Sequence, residues 1–277
     1  MLADLLRMKR DRVKIVAVVV YDFQMAQIVD RAGVDIVSVG DSVGVNMWGQ
    51  PDELAVTLDQ MLLACTAVRR GVRSALVSCD MPYGPLQSGP EAAVAAARRL
   101  VDEGGADLVK LDAAPDFPVA VAAVANAGIP VWGQFGITPH TAARHGGMQK
   151  AGPELVAALA NQFVAEAKLL EQSGAALLDF THSGPVAGPA VTEAVGIPVL
   201  GGLGGGPWLD GRIRAVGAAI GYQAAALDDG VERYANVARV AFDAIQAFAT
   251  DVRAGRQIRG AAPPREKDAI DRGAGTR

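Results

Sequence analysis

Short β-branched runs alternate with longer Ala-rich stretches along most of the chain. Seven of the runs read as strands: "KIVAVVVYD" (14–22), "DIVSVGD" (35–41), "SALVSCD" (74–80), "DLVKLD" (107–112), "PVWGQFG" (130–136), "ALLDFT" (176–181) and "PVLGGLG" (198–204). A weaker run, "AVGAAIG" (215–221), is expected as the eighth. Ile36-Val37-Ser38-Val39 shows no in-and-out alternation, the pattern of a strand covered on both faces. Helical patterns fill the intervals, among them 56–70, 90–103 and 154–172, with Pro90 and Pro153 suited to a first turn. Five helices end alike before the next strand, in "RAGVDI", "EGGADL", "NAGIPV", "QSGAAL" and "AVGIPV". Each places a glycine where a left-handed C-cap is expected.

This glycine-then-strand rhythm marks repeated βα units with parallel strands. About eight such units predict an α/β fold, a (β/α)8 TIM barrel with an N-terminal helix. The barrel is expected to span 1–256 as one domain, with 257–277 a mobile tail of polar, Gly- and Pro-containing sequence. A doubly wound open sheet is the alternative, but no GxGxxG follows the first strand. "GGLGGG" (201–206) falls at the seventh strand, where barrels favour anion binding, although a lone glycine run is a weak signal.

Composition narrows the function classes. A 51% hydrophobic, 20% charged chain of 277 residues suits one large core. A net charge of −4 and 5% aromatics argue against a nucleic-acid partner. The two cysteines, Cys65 and Cys79, form no CxxC pair and suit a reduced compartment. "MLADLLRMKRDRVK" lacks a signal peptide's apolar block, and "IVAVVV" (15–20) is too short to span a bilayer. A cytoplasmic protein without a membrane partner is expected.

The candidate chemistry lies at the strand ends, which a barrel gathers at one mouth. Asp22, Asp41, Asp80, Asp112 and Asp179 close strands one, two, three, four and six, and Gln134 lies near the end of strand five. An Asp after a strand is a good helix cap, and that accounts for any one of them. Loops, not helices, are expected directly after Asp41 and Asp80. Carboxylates converging on one volume repel each other unless a cation intervenes, and Mg2+ is the expected cation. Lys110 is two residues before Asp112 and therefore on the same strand face, where it needs an acidic partner. It reads as a structural ion pair, a clamp for a substrate carboxylate or enolate, or both. Of the histidines, His140 and His145 fall on the loop after strand five, and His182 follows strand six near Asp179. Zinc and serine-hydrolase chemistry lack their motifs: there is no Cys/His cluster and no GxSxG.

The segments "VVVYDFQMAQIVDRAGVDIVSVGDSVG", "LVSCDMPYG", "GADLVKLD", "GIPVWGQFGITPH" and "IPVLGGLGGGPWLDG" together resemble the ketopantoate hydroxymethyltransferase family, in order, from about residue 2 to residue 256. The family belongs to the phosphoenolpyruvate mutase and isocitrate lyase type of barrel. The resemblance implies a Mg2+-dependent aldol-type reaction on a 2-oxo acid, with 5,10-methylenetetrahydrofolate supplying the one-carbon unit. It implies Asp41, Asp80 and Asp112 as metal-site acids and Ser42, Asp80, Lys110 and Gln134 as substrate-binding residues. Asp179 and Lys110 would be catalytic, with His182 a further acid/base candidate. A homo-oligomer is implied, a decamer of two stacked pentamers.

The departures are specific. The family usually carries Glu at position 112 and His at position 134, and its general base is a Glu that aligns with Asp179. Its "GIGAG" reads "GGLGGG" here, one residue longer. A base shortened by one methylene sits about 1.5 Å farther back, a displacement that can cost on the order of 10²-fold in rate. Two alternatives stay open: a folate-independent C–C or P–C lyase, mutase or hydrolase on the same barrel, and a non-catalytic paralogue.

Overall fold

The computed structural model describes residues 2–260, so most of the expected tail, 261–277, lies outside the described residues. The chain forms two compact units, Met1–Val216 and Gly217–Arg277. All eight strands belong to the first unit: β1 Ile15–Val19, β2 Ile36–Val39, β3 Leu76–Asp80, β4 Leu108–Leu111, β5 Val131–Gly136, β6 Leu177–Thr181, β7 Val199–Leu200 and β8 Gly211–Ala215. They pair in parallel in the order β7-β6-β5-β4-β3-β2-β1-β8, a nearly closed (β/α)8 barrel.

The expected eighth strand is corrected. Residues 216–220 of "AVGAAIG" form a short helix, Val216–Ile220, and the strand is the preceding "GRIRA". Arg212 and Arg214 point outward while Gly211 and Ile213 are buried, so charges interrupt the run and hide its period of two.

Two facing ends close the barrel. The Asp210 backbone N–H donates to Val199 O at 2.9 Å, and the Val199 N–H donates to Asp210 Oδ2 at 2.9 Å. The same Oδ2 accepts from Lys9 Nζ at 2.8 Å, and Lys9 also reaches Thr192 O. Lys9 lies on the N-terminal helix Leu2–Arg10, whose Leu5 packs beside Ile15, Ala17, Ile36, Leu108, Trp132 and Leu177 inside the barrel. The helix thus seals the end of the barrel opposite the strands' C-termini.

The local predictions hold in most places. Pro90 and Pro153 open their helices, and Thr57 with Gln60 forms a capping box on the helix Leu58–Gly71. The expected helix 154–172 divides at Leu159 into Pro153–Ala158 and Ala160–Gln172. Gly33, Gly105, Gly128 and Gly174 take the left-handed conformation after their helices. Gly196 does not; its N–H instead donates to Glu171 Oε1 at 2.7 Å.

The second unit carries the helix Val237–Arg253, opened by the Asn236 side chain accepting from the Arg239 N–H. Phe242, Ile245, Phe248 and Val252 recur at helical spacing along one side, and all are exposed. No helix among the described residues is long and apolar enough to cross a membrane.

Candidate active site

Strand parity decides which side chains meet. Ile36, Leu108, Trp132 and Leu177 belong to the buried cluster inside the barrel. Two residues further along the same strands come Ser38, Lys110, Gln134 and Asp179, and beyond them lie Asp112 and Thr181. On β3 the corresponding positions are Ser78 and Asp80. The register sets Ser38 beside Ser78, Asp80 beside Lys110 and Gln134 beside Asp179. The interior thus passes from an apolar layer through two buried hydroxyls to a charged layer at the mouth.

Lys110 occupies the middle of that layer. Its Nζ lies 3.3 Å from Asp80 Oδ2 and 3.4 Å from Asp179 Oδ2, with all three side chains less than 10% exposed. The ammonium also sits 5.6 Å from the centre of the Trp132 ring. Burial works against its charge, but Asp80 and Asp179 outweigh that and push its pKa above the ordinary lysine value. Burial raises the Asp179 pKa to about 6, with Lys110 pulling the other way. Asp80 is raised for the same reason and opposed by the same lysine.

Asp41 stands at the rim, its backbone N–H donating to Asp80 Oδ2 at 3.3 Å. Burial, reinforced by the Asp80 charge, raises its pKa to about 7. Ser42 follows, and its hydroxyl lies 2.9 Å from Tyr21 Oη, which accepts from Asn46 Nδ2 at 3.1 Å. Short helices do begin here, at Val43 and Tyr83, contrary to the loops expected. Neither is capped by Asp41 or Asp80, because Ser42 and Pro82 hold the cap positions without side-chain cap bonds. Asp22 is different: its Oδ1 accepts from the Gln24 and Met25 N–H groups, so it is a helix cap and not a member of the acidic layer.

Asp112 faces another partner. Its Oδ2 lies 2.7 Å from His140 Nδ1, and its Oδ1 accepts from the Ala113 N–H. His140 stacks on Tyr83 with ring centres 4.7 Å apart, and Tyr83 meets Phe117 edge-on. Burial opposes the imidazole's charge, but Asp112 wins and raises the His140 pKa. Gln134 Nε2 donates to Thr181 Oγ1 at 3.2 Å. His182 turns from the acids: its Nδ1–H donates to Ile137 O at 2.7 Å, and its backbone is left-handed, φ +57°. Ala113, directly after Asp112, is also left-handed at φ +50°. His182 thus follows β6 directly and Ala113 follows β4 by two residues, both in that strained region. His145 ends the 3-10 helix Ala142–His145 behind the mouth, among Arg144, Gln162 and Glu166.

Parity could place Lys110, Asp80 and Asp179 from sequence. His140 and Tyr83 are harder, because neither a loop residue nor the first residue of a five-residue helix carries a period. The only signal for His140 was its place in "GITPH" directly after a strand that ends in the mouth.

A divalent cation can be tested against these groups. Asp80 Oδ1 and Asp179 Oδ1 are enclosed without a hydrogen-bond partner among the described residues. Lys110 satisfies only one oxygen of each. Among the described residues no three acidic, imidazole or thiolate groups form a closed ligand set. An open pair, Asp41 with Asp80, suits a hard cation that keeps waters and takes one or two carboxylates. Asp112, committed to His140, does not complete a third.

Known proteins place this mouth in context. Among solved structures, a phosphonopyruvate hydrolase complexed with oxalate and Mg2+ superposes with a TM-score of 0.61 over 98% of this chain and 93% of that one, at 14% identity. A 2,3-dimethylmalate lyase of the PEP mutase/isocitrate lyase superfamily gives 0.58 over 99% and 94%, at 17%. At such identities the likeness is one of fold. Sequence relatives are nearer: the 3-methyl-2-oxobutanoate hydroxymethyltransferase of Desulfotalea psychrophila is 36% identical over 252 residues, 91% of this chain and 89% of that one. The enzyme of the same name from Clostridium beijerinckii is 34% identical over 89% of each chain. The model of the ketopantoate hydroxymethyltransferase family matches residues 1–257. With the family model and the curated relatives matching nearly its whole length, the chain belongs to the ketopantoate hydroxymethyltransferase family of transferases.

Proposed function

We propose that the chain forms the enolate of a 2-oxo acid, 3-methyl-2-oxobutanoate or a related compound, and adds a hydroxymethyl group to it. The observation that carries this reading is Lys110, buried between Asp80 and Asp179. Removing a proton next to a ketone puts negative charge on the keto oxygen, and a fixed ammonium in a water-poor site stabilises that charge as it develops. Asp179 is the base. Its pKa of about 6 leaves it ionised at neutral pH yet basic enough to take the C3 proton. Ser42, oriented by Tyr21, donates to the substrate carboxylate. Asp41 and Asp80 would hold Mg2+, which would supply Lewis-acid stabilisation of the negative charge that develops on enolate formation. The one-carbon unit is at the formaldehyde level, with 5,10-methylenetetrahydrofolate as its source. His182, engaged with Ile137 O, has a positioning role and not that of the base.

Exchange of the substrate's C3 proton for deuterium tests this. With Mg2+ in D2O, NMR of 3-methyl-2-oxobutanoate should show enzyme-dependent loss of the C3 signal. Asp179→Asn should abolish exchange while binding of the acid persists in calorimetry. Normal exchange in that variant assigns the base elsewhere, and no exchange by the native protein with any of a broad panel of 2-oxo acids rejects the reading.

The chain assembles as a homo-oligomer in this reading. The exposed Phe242, Ile245, Phe248 and Val252 on one helix are a larger apolar stripe than isolated surface residues produce. A second copy of this chain is its occupant. Ile245→Glu should lower the mass found by light scattering; an unchanged mass removes this helix from the interface.

A further inference from the structure

The aldol step creates a charge that the residues above do not meet. Water adds to the methylene carbon of 5,10-methylenetetrahydrofolate and tetrahydrofolate leaves, giving formaldehyde; when C3 of the enolate bonds to that carbonyl carbon, the C=O π pair moves onto oxygen as an alkoxide. Asp41, Asp80 and Asp179 have the wrong sign to stabilise it. Lys110 is already held between Asp80 and Asp179 and serves the keto oxygen.

An enclosed imidazole beside Asp112 and within electrostatic reach of Asp41 fits that task. The His140 side chain is 3% exposed, and its Nε2 has no hydrogen-bond partner among the described residues. Asp112 Oδ2 lies 2.7 Å from Nδ1, an ion-pair contact without ordinary hydrogen-bond geometry, and holds the ring as imidazolium, which carries a second proton on Nε2 for a ligand. Tyr83 fixes the plane of the ring. The loop beneath is locked. The Thr138 N–H donates to Thr141 Oγ1 at 2.9 Å, Thr141 Oγ1 donates to Gly136 O at 2.8 Å, and His182 holds Ile137 O.

We propose that His140 is a catalytic residue whose Nε2–H binds the oxygen of the transferred one-carbon unit, with Asp112 and Tyr83 as its positioning residues. This rests on the enolate reading above. The alkoxide takes the Nε2 proton to become the product hydroxyl, Asp179 takes the C3 proton and releases it to water, and water returns one proton to Nε2, so each turnover moves one proton from C3 to the new hydroxyl.

Two half-reactions separate this role from a structural one. The full chain with Mg2+ is assayed for C3 exchange of 3-methyl-2-oxobutanoate in D2O, and separately for addition of formaldehyde to the same acid. His140→Phe, which keeps an aromatic ring on Tyr83, should exchange within about twofold of the native protein. Its addition rate should fall about 10²–10³-fold, the usual effect of losing one oxyanion donor. His140→Gln, which keeps an N–H donor, should recover part of the loss. Addition left intact in His140→Phe overturns the proposal, as does exchange falling in step with addition in both variants. Absence of exchange in the native protein overturns the enolate reading and this inference with it.

Discussion

Asp80→Asn is expected to lower C3 proton exchange on the order of 10³-fold, because bound-metal charge stabilisation is worth several kcal/mol. Asp80 is the residue on which three interactions converge. It accepts the Asp41 N–H, pairs with Lys110 and carries an enclosed oxygen without a partner. The amide of Asn retains the shape and much of the hydrogen bonding but gives up the charge that a cation needs. Lys110 keeps Asp179 as its partner, so the fold should survive with a shift of a few degrees in the melting temperature. Calorimetric titration with Mg2+ and a thermal melt provide the comparison. If the variant is unfolded while residual activity per folded molecule is native, Asp80 is structural and the metal lies elsewhere.

Lys110→Met should show the larger effect on stability. Removing one member of a buried charge network leaves the others unpaired, a loss of about 3–5 kcal/mol. Here two carboxylates would lose their common cation. The pH dependence has a definite sign. Even with Lys110 present, burial lifts Asp179 from the usual 3.8 to about 6. A raised carboxyl binds its proton more tightly in the folded state, so its contribution is fully present at low pH and is lost as pH rises through the folded value. Without the lysine both carboxyls rise further. The deficit seen in urea denaturation should therefore be greatest at pH 7.5 and shrink at pH 5. A deficit that does not depend on pH would locate the cost in packing against Trp132 instead of in charge.

What could be read from sequence follows from periodicity. Seven strands were visible because short runs rich in Val, Ile and Leu, set between glycine-ended helices, suit a strand covered on both faces. The eighth was not, because Arg212 and Arg214 alternate outward from Gly211 and Ile213, while the Ala-rich apolar run beside it is helical. Lys110 and Asp112 could be assigned to one face by counting in twos. Counting could not show that they part company at the mouth, Lys110 to Asp80 and Asp179, Asp112 to His140. That division depends on which loop folds over β4, and the loop from Ile137 to Thr141 is fixed by threonine and carbonyl contacts that leave no pattern in the sequence.

The junction between β7 and β8 has a consequence for how this fold tolerates change. β7 is two residues long, and its link to β8 is not a regular ladder: the Asp210 N–H donates to Val199 O, the Ile213 N–H donates to Gly201 O at 3.4 Å, and the Asp210 side chain takes the Val199 N–H. A residue gained between Leu200 and Asp210 alters the length of a connection without shifting the register of any ladder from β2 to β6. A change of length in the "GGLGGG" stretch can thus be absorbed at this joint, where Gly204 takes a left-handed turn beside His182, while the strands carrying Asp80, Lys110 and Asp179 keep their alignment.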